Sequence, residues 1–357
     1  MTESGRDDIL LRTLSNPDAV TGADAERWEN LVRQAREATL LGTLADRLHE
    51  RGRLDATPEG PRAHLVAART MAAAQHVAVR REIREIAKAL HGVGVNVILL
   101  KGAAYLVAGL PPAPGRLFSD IDILVPKSTL PEVESALMLA GFATTHHHPY
   151  DQRYYRRWMH ELPPMQHVKR NTVLDVHHTI VPSTSRIRLD ASALFRTAIP
   201  LAEVAGFSIL APTDMVLHSA THLFQNEDLT HGLRDLVDID ALLRRLGRDI
   251  LFWDDLLTRA AELDLSRPLY YALHWTSRTL GTPIPDYVAA SAERLAPGPV
   301  TARLMDRLLK HALRPTARRA STRWARRALY VRGHWLKMPM PLLAWHLAVK
   351  SLHRDET

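Results

Sequence analysis

The chain has 357 residues, 46% of them apolar and 24% charged. This is the balance of a folded protein long enough for two or three domains, and it excludes wholesale disorder. Cysteine is absent, which excludes a disulfide scaffold, a Cys-ligated zinc or iron–sulfur centre and a thiol nucleophile. The formal charge of +7 is concentrated at one end: residues 301–357 hold 13 Lys/Arg against 3 Asp/Glu, the rest of the chain 33 against 36.

Met1–Asp8 lacks the basic-then-apolar pattern of a secretory leader. The longest apolar stretch, about 93–110, is interrupted by Asn96 and Lys101 and reads as two short buried elements rather than a membrane span. A cytoplasmic protein without transmembrane segments is expected.

Residues 1–91 read as a helical region. Thr21-Gly22-Ala23-Asp24 has the spacing of a capping box ahead of a helix through Leu31, Val32 and Ala35. Pro61 to Leu90 places Ile83, Ile86 and Leu90 at helical spacing. A mixed α/β core is expected over 92–211. It opens with a β-branched strand, 95–100, and a Lys101-Gly102 turn into a helix, an arrangement that offers backbone N–H groups to a phosphate. A proline-rich loop (Pro111, Pro112, Pro114, Gly115) leads to the alternating strand 120–125, and Ser128 or Thr129 caps the next helix. A further alternating segment, 172–177, carries Asp175. Residues 212–357 read as a second helical region, broken near Pro283, Pro297 and Pro315 and ending in the basic tail.

Asp120-x-Asp122 is the informative pattern. Residues i and i+2 of a strand share a face, so Ile121, Ile123 and Val125 point into a core while two adjacent carboxylates point out of it together. Such a pair repels itself unless a cation neutralises it, and hard oxygen ligands on a rigid strand suit magnesium. Arg116, four residues upstream, carries the charge to meet a phosphate, and Asp175 supplies a third carboxylate. Ser119 reads as a turn hydroxyl beside Asp120.

These features resemble the polymerase-β-like nucleotidyltransferase superfamily. More narrowly, they resemble the bacterial family described as uncharacterised nucleotidyltransferases. The matching residues are Leu99-Leu100-Lys101-Gly102, 116–125, Leu174-Asp175-Val176-His177, 212–218 and 233–239. The resemblance implies an α/β (α+β) nucleotidyltransferase core with a mixed sheet, flanked by helical regions that form the acceptor pocket. It implies that Asp120, Asp122 and Asp175 are catalytic and bind magnesium, with manganese as the alternative metal, and that Lys101, Gly102, Arg116 and Ser119 hold a nucleoside triphosphate, with ATP named first. The implied reaction is transfer of a nucleoside monophosphate to a hydroxyl of a small-molecule or peptide acceptor, in secondary metabolism or antibiotic modification. Nucleotidylation of tRNA or protein is the enzymatic alternative. A non-catalytic nucleotide-binding or partner module stands as the other, because alanine follows Gly102 where the superfamily usually has serine or glycine.

Five further residues are read as lining the substrate cleft. His177 lies two residues from Asp175. His218 and His222, at i and i+4, share a helix face with His231 nearby, so that substrate lining, helix packing and zinc ligation all stay open. Asp235 and Asp238 share another face, as ion-pair partners or as the border of the cleft. His146-His147-His148 reads as an exposed loop. Arg318, Arg319, Arg323, Arg326, Arg327 and Arg332, interleaved with Trp324, Tyr330 and Trp335, form either a solvated helix face or a surface for RNA or anionic membrane.

Overall fold

The computed structural model describes residues 9–145, 159–315 and 319–337. The triple histidine at 146–148, Arg318 and the last 20 residues of the basic tail lie outside the described residues.

The helical N-terminal stretch comprises α1 (Ile9–Ser15), α2 (Ala25–Glu37), α3 (Leu41–Glu50) and the 32-residue α4 (Glu59–Leu90). Asp24, not Thr21, caps α2, its side chain accepting the Arg27 N–H at 2.9 Å. Thr21 instead ends the short 3₁₀ turn Pro17–Val20. Seven strands then form one mixed sheet: β1 (Val97–Leu99), β2 (Ile121–Leu124), β3 (Phe142–Thr144), β4 (Met165–His167), β5 (Val173–His177), β6 (Ile199–Pro200) and β7 (Phe207–Ile209), in the order β3-β4-β5-β2-β1-β7-β6. The central β2 runs antiparallel to β1 and parallel to β5.

Between these strands lie α5 (Lys101–Val107), α6 (Leu130–Leu139) and α7 (Ser192–Thr197). Thr129 occupies the cap position of α6, but its hydroxyl donates to the Pro126 carbonyl at 2.9 Å and caps nothing. Seven helices follow: α8 (Pro212–Gln225), α9 (Gly232–Leu246), α10 (Leu251–Glu262), α11 (Ser266–Leu280), α12 (Asp286–Glu293), α13 (Pro299–Ala312) and α14 (Ala320–Lys337). One hydrophobic core runs from Leu10 and Leu14 through Ile98, Ile123 and Val176 to Leu309 and Leu329. No helix among the described residues is long and apolar enough to cross a membrane.

The N-terminal helices fix the proline-rich loop. Gln75 on α4 clamps the Phe118 backbone, donating to its carbonyl at 2.6 Å and accepting its N–H at 2.8 Å. His76 donates to the Arg116 carbonyl at 2.9 Å. Gly115, at φ 69°, presses its backbone directly on that of Gly42 in α3, where neither residue has room for a Cβ. The expectation that both helical ends line the acceptor pocket is therefore corrected. Among the described residues, none from 9–91 lines the central cavity, because α4 is spent supporting the loop from behind.

Candidate active site

Parallel register places Asp122 of β2 directly beside Asp175 of β5, and Asp120 precedes Asp122 on the same face. All three face a cavity of about 380 Å³. The cavity floor also carries Lys101, Gly102, Arg116 and Ser119, and its far wall carries His218 and His222 of α8 with Asp235 and Asp238 of α9. Every residue singled out from the sequence as a site residue thus borders one cavity.

Asp122 is 4% exposed, because two cations cover it. Lys101 Nζ donates to its Oδ1 at 2.8 Å and His177 Nε2 donates to the same oxygen at 3.0 Å. Burial opposes the charge on Asp122, but Lys101 and the His177 hydrogen bond outweigh it and hold the carboxyl well below its usual range. Burial would likewise lower the Lys101 ammonium, yet Asp122 and Asp120 keep it above its ordinary value. Lys101 sits at φ 46°, a left-handed conformation that costs a lysine about 1 kcal/mol and aims the side chain across the strand end.

Asp175 is differently placed. Its Oδ1 is buried without a hydrogen-bond partner. Burial, then the neighbouring Asp122 and Glu161, push its carboxyl up to about 8. Burial and Asp122 also raise Asp120. A set of three carboxylates, two of them raised and one with an orphaned buried oxygen, fits a hard divalent cation.

A family comparison bears directly on this constellation: residues 24–281 match the family described as uncharacterised nucleotidyltransferase. The chain belongs to that family. None of the curated proteins is significantly similar to it. The matched span reaches from the cap of α2 to the end of α11, so membership in the nucleotidyltransferase family covers the sheet, the three aspartates and the cavity's far wall.

Within this family member, Arg116 forms a buried ion pair with Asp238: Nη1 donates to the carboxylate while Nε has no partner. Burial pushes the Asp238 carboxyl up to about 6 despite Arg116, so it is still ionised at neutral pH. Gly102 is required here, since a Cβ would stand 2.8 Å from Arg116 Nε and 2.9 Å from Phe118 Cε1. Asp235 is held by Arg234 at 3.1 Å. Of the two readings of the α9 aspartates, both hold at once: each is ion-paired and each borders the cleft.

His218 and His222 share the inner face of α8, and the geometry favours lining over zinc ligation by His218, His222 and His231. The His/carboxylate group that closes to ligand distance among the described residues is elsewhere. Burial and then Lys101 hold the His218 imidazole down at about 3. The unfolded chain takes up that proton below about pH 6.5, so the stability contributed by a neutral buried His218 is complete above pH 6.5 and is lost as pH falls toward 3. The His218→Gln chain is expected to lose melting temperature less steeply than wild type between pH 6.5 and 4. Equal slopes in a thermal-melt series would refute this.

Two residues of the site escaped the sequence reading, His160 and Glu161. Residues 160–162 extend the edge of β5: His178 N–H donates to the His160 carbonyl at 2.9 Å and Leu162 N–H to the Val176 carbonyl at 2.8 Å. Pro163 and Pro164, lacking N–H donors, interrupt the ladder before β4 resumes it. The bridge between Glu161 and His177 brings the Glu161 carboxylate to 3.3 Å from His177 Nδ1. Met159-His160-Glu161-Leu162 shows no alternation, so the sequence carried no periodic signal for these two residues.

At the other rim, α14 is docked rather than free. Its Gly333 packs against the Glu227 backbone, Lys337 pairs with Glu227, and Arg332 Nη1 donates to the Phe224 carbonyl at 2.9 Å. Lys337 reaches the cavity wall, while Arg323 and Arg327 remain exposed and Trp324 is 71% exposed.

Proposed function

We propose that the protein transfers a nucleoside monophosphate from a nucleoside triphosphate to a hydroxyl of a small-molecule or peptide acceptor, with magnesium and with ATP as the first candidate nucleotide. The observation that carries this reading is the in-register pairing of Asp122 and Asp175, with Asp120 beside them, around a buried oxygen that has no partner. Asp120, Asp122 and Asp175 would hold the metal. A divalent ion bound there supplies charge neutralisation for in-line displacement at the α-phosphorus.

The chain's own residues do the remainder. Lys101 releases Asp122 and turns to the triphosphate, keeping its charge beside the departing pyrophosphate. Gly102 and Ser119 leave the floor open to phosphate oxygens, and Arg116, anchored by Asp238, sets the electrostatics of that end. Asp175, ionised once a metal is bound beside it, would lower the barrier to removing the acceptor hydroxyl's proton. The far wall carries Glu227, Asp228 and Asp235 beside neutral His218 and His222. Among the described residues, the Lys and Arg side chains facing the cavity, Lys101, Arg116, Arg234 and Lys337, are each paired with a carboxylate. That balance supports a neutral or cationic acceptor over RNA, whose phosphates need free cations.

The test is incubation of the purified chain with magnesium and each α-labelled nucleoside triphosphate, followed by separation of small-molecule, RNA and protein acceptor pools. Label is expected in the small-molecule or peptide pool with wild type and not with Asp122→Asn. Nucleotide binding without label in any pool would overturn transfer in favour of a binding module.

A further inference from the structure

We propose that His160, Glu161 and His177 form a second metal site, for a zinc-like transition-metal ion, in the same cavity as the three aspartates but distinct from them. The nitrogen and oxygen atoms these side chains offer all lie within 4.8 Å of one another. His177 Nδ1 is 3.3 Å from Glu161 Oε2, and His160 Nε2 is 3.8 Å from the same oxygen. Two ligands bound about 2.1 Å from a tetrahedral ion stand about 3.4 Å apart, so the group needs only small rotamer adjustments to close on an ion.

Two independent features point to an ion. The first is the orientation of His177. Its Nε2–H donates to Asp122 at 3.0 Å, which turns Nδ1 toward the Glu161 carboxylate. At 3.3 Å the two atoms hold either a proton on Nδ1, as an ion pair, or a metal ion that displaces that proton. The carboxylate behind the ring is the outer support that orients a metal-binding histidine. The second is His160, tilted against His177 with ring centroids 5.2 Å apart: its Nε2 faces the Glu161 carboxylate at 3.8 Å, while its Nδ1 is buried with no partner. Two imidazoles and one carboxylate form the three-ligand set of open zinc sites, with the fourth position left for water or substrate. Imidazole nitrogens select zinc-like ions, whereas the all-oxygen set of Asp120, Asp122 and Asp175 selects magnesium. The inference stands apart from the transfer reading, because it uses ligands of a different chemistry.

The full-length chain, stripped with chelator, is titrated with zinc in the presence of millimolar magnesium, which competes for carboxylate-only sites. One zinc per chain is expected, and cobalt in its place should give the intense visible bands of four-coordinate geometry. Zinc affinity should fall at least tenfold in His160→Ala and in the near-isosteric Glu161→Gln, and change by less than about threefold in Asp120→Asn. Circular dichroism in chelator shows whether each variant is folded, and Glu161→Gln carries the test if His160→Ala is not. No zinc bound under magnesium, or zinc bound equally by wild type and Glu161→Gln, would overturn the proposal. So would a larger loss in Asp120→Asn than in the other two, which would assign the ion to the aspartates. Absence of nucleotide transfer with zinc still bound would sink only the transfer reading.

Discussion

The Asp175→Asn chain is expected to lose nucleotidyl transfer by about 10³ or more while melting, in the absence of metal, no lower than wild type. A thousandfold loss corresponds to about 4 kcal/mol of transition-state stabilisation, which is reasonable for removing one carboxylate from a metal and its acceptor proton from one step. The stability half of the prediction follows from the folded state. Asp175 Oδ1 has no partner, and its carboxyl is pushed up to about 8 by burial, Asp122 and Glu161. A carboxyl raised on folding costs no stability below its unfolded value near pH 4, and the penalty builds as pH rises toward 8. The melting-temperature difference, variant minus wild type, should therefore widen across that window in chelator. Asp122→Asn serves as the contrast. It removes the negative charge facing half-buried Lys101 and buried His177, so its lost activity should come with lost stability. If Asp175→Asn melts well below wild type at pH 8, the carboxylate is a structural acceptor and its role at the site is wrong.

Asp238→Ala is expected to destabilise the protein by about 3–5 kcal/mol, the range for leaving a buried charge without its partner. Arg116 is 7% exposed and Asp238 6%, and Arg116 already has an unpaired Nε. Removing the carboxylate thus leaves a guanidinium with little water, no ion-pair partner and only Asp235 and Asp120 as neighbouring counter-charges. The Arg116→Met, Asp238→Ala double variant should recover a large part of the loss, since the desolvated charge is gone. It should stay inactive if Arg116 sets the phosphate end of the cavity. Denaturant midpoints for the two single variants and the double variant check the cycle. Simple additivity of the two losses would show that the pair is not coupled.

Exposed basic helices are often read as tails, and α14 shows why composition misleads. Its charge excess is evident in the sequence, but Lys337 and Arg332 are used to dock the helix against Glu227 and Phe224. Only the outward face, with Arg323, Trp324 and Arg327, keeps the character that the composition suggested.

The sequence by itself determined the local geometry of the site. Alternation in a strand placed Asp120 and Asp122 together and Asp175 on the open face of its own segment. Helical spacing placed His218 with His222 and Asp235 with Asp238. In each case the period of the backbone, two or 3.6 residues, directs the side chains, so a few adjacent letters suffice. The tertiary structure alone decided which of these faces meet. The alignment of Asp122 with Asp175 depends on strand register between residues 53 positions apart. The Arg116–Asp238 pair joins residues 122 apart. Glu161 reaches His177 through an irregular edge beside two prolines, where no period exists to read. The support of the Arg116 loop by Gln75, His76 and Gly42 is of the same kind. Periodicity is a property of consecutive residues, whereas register, ion pairing and close backbone contact arise between distant segments only when a common core packs them together.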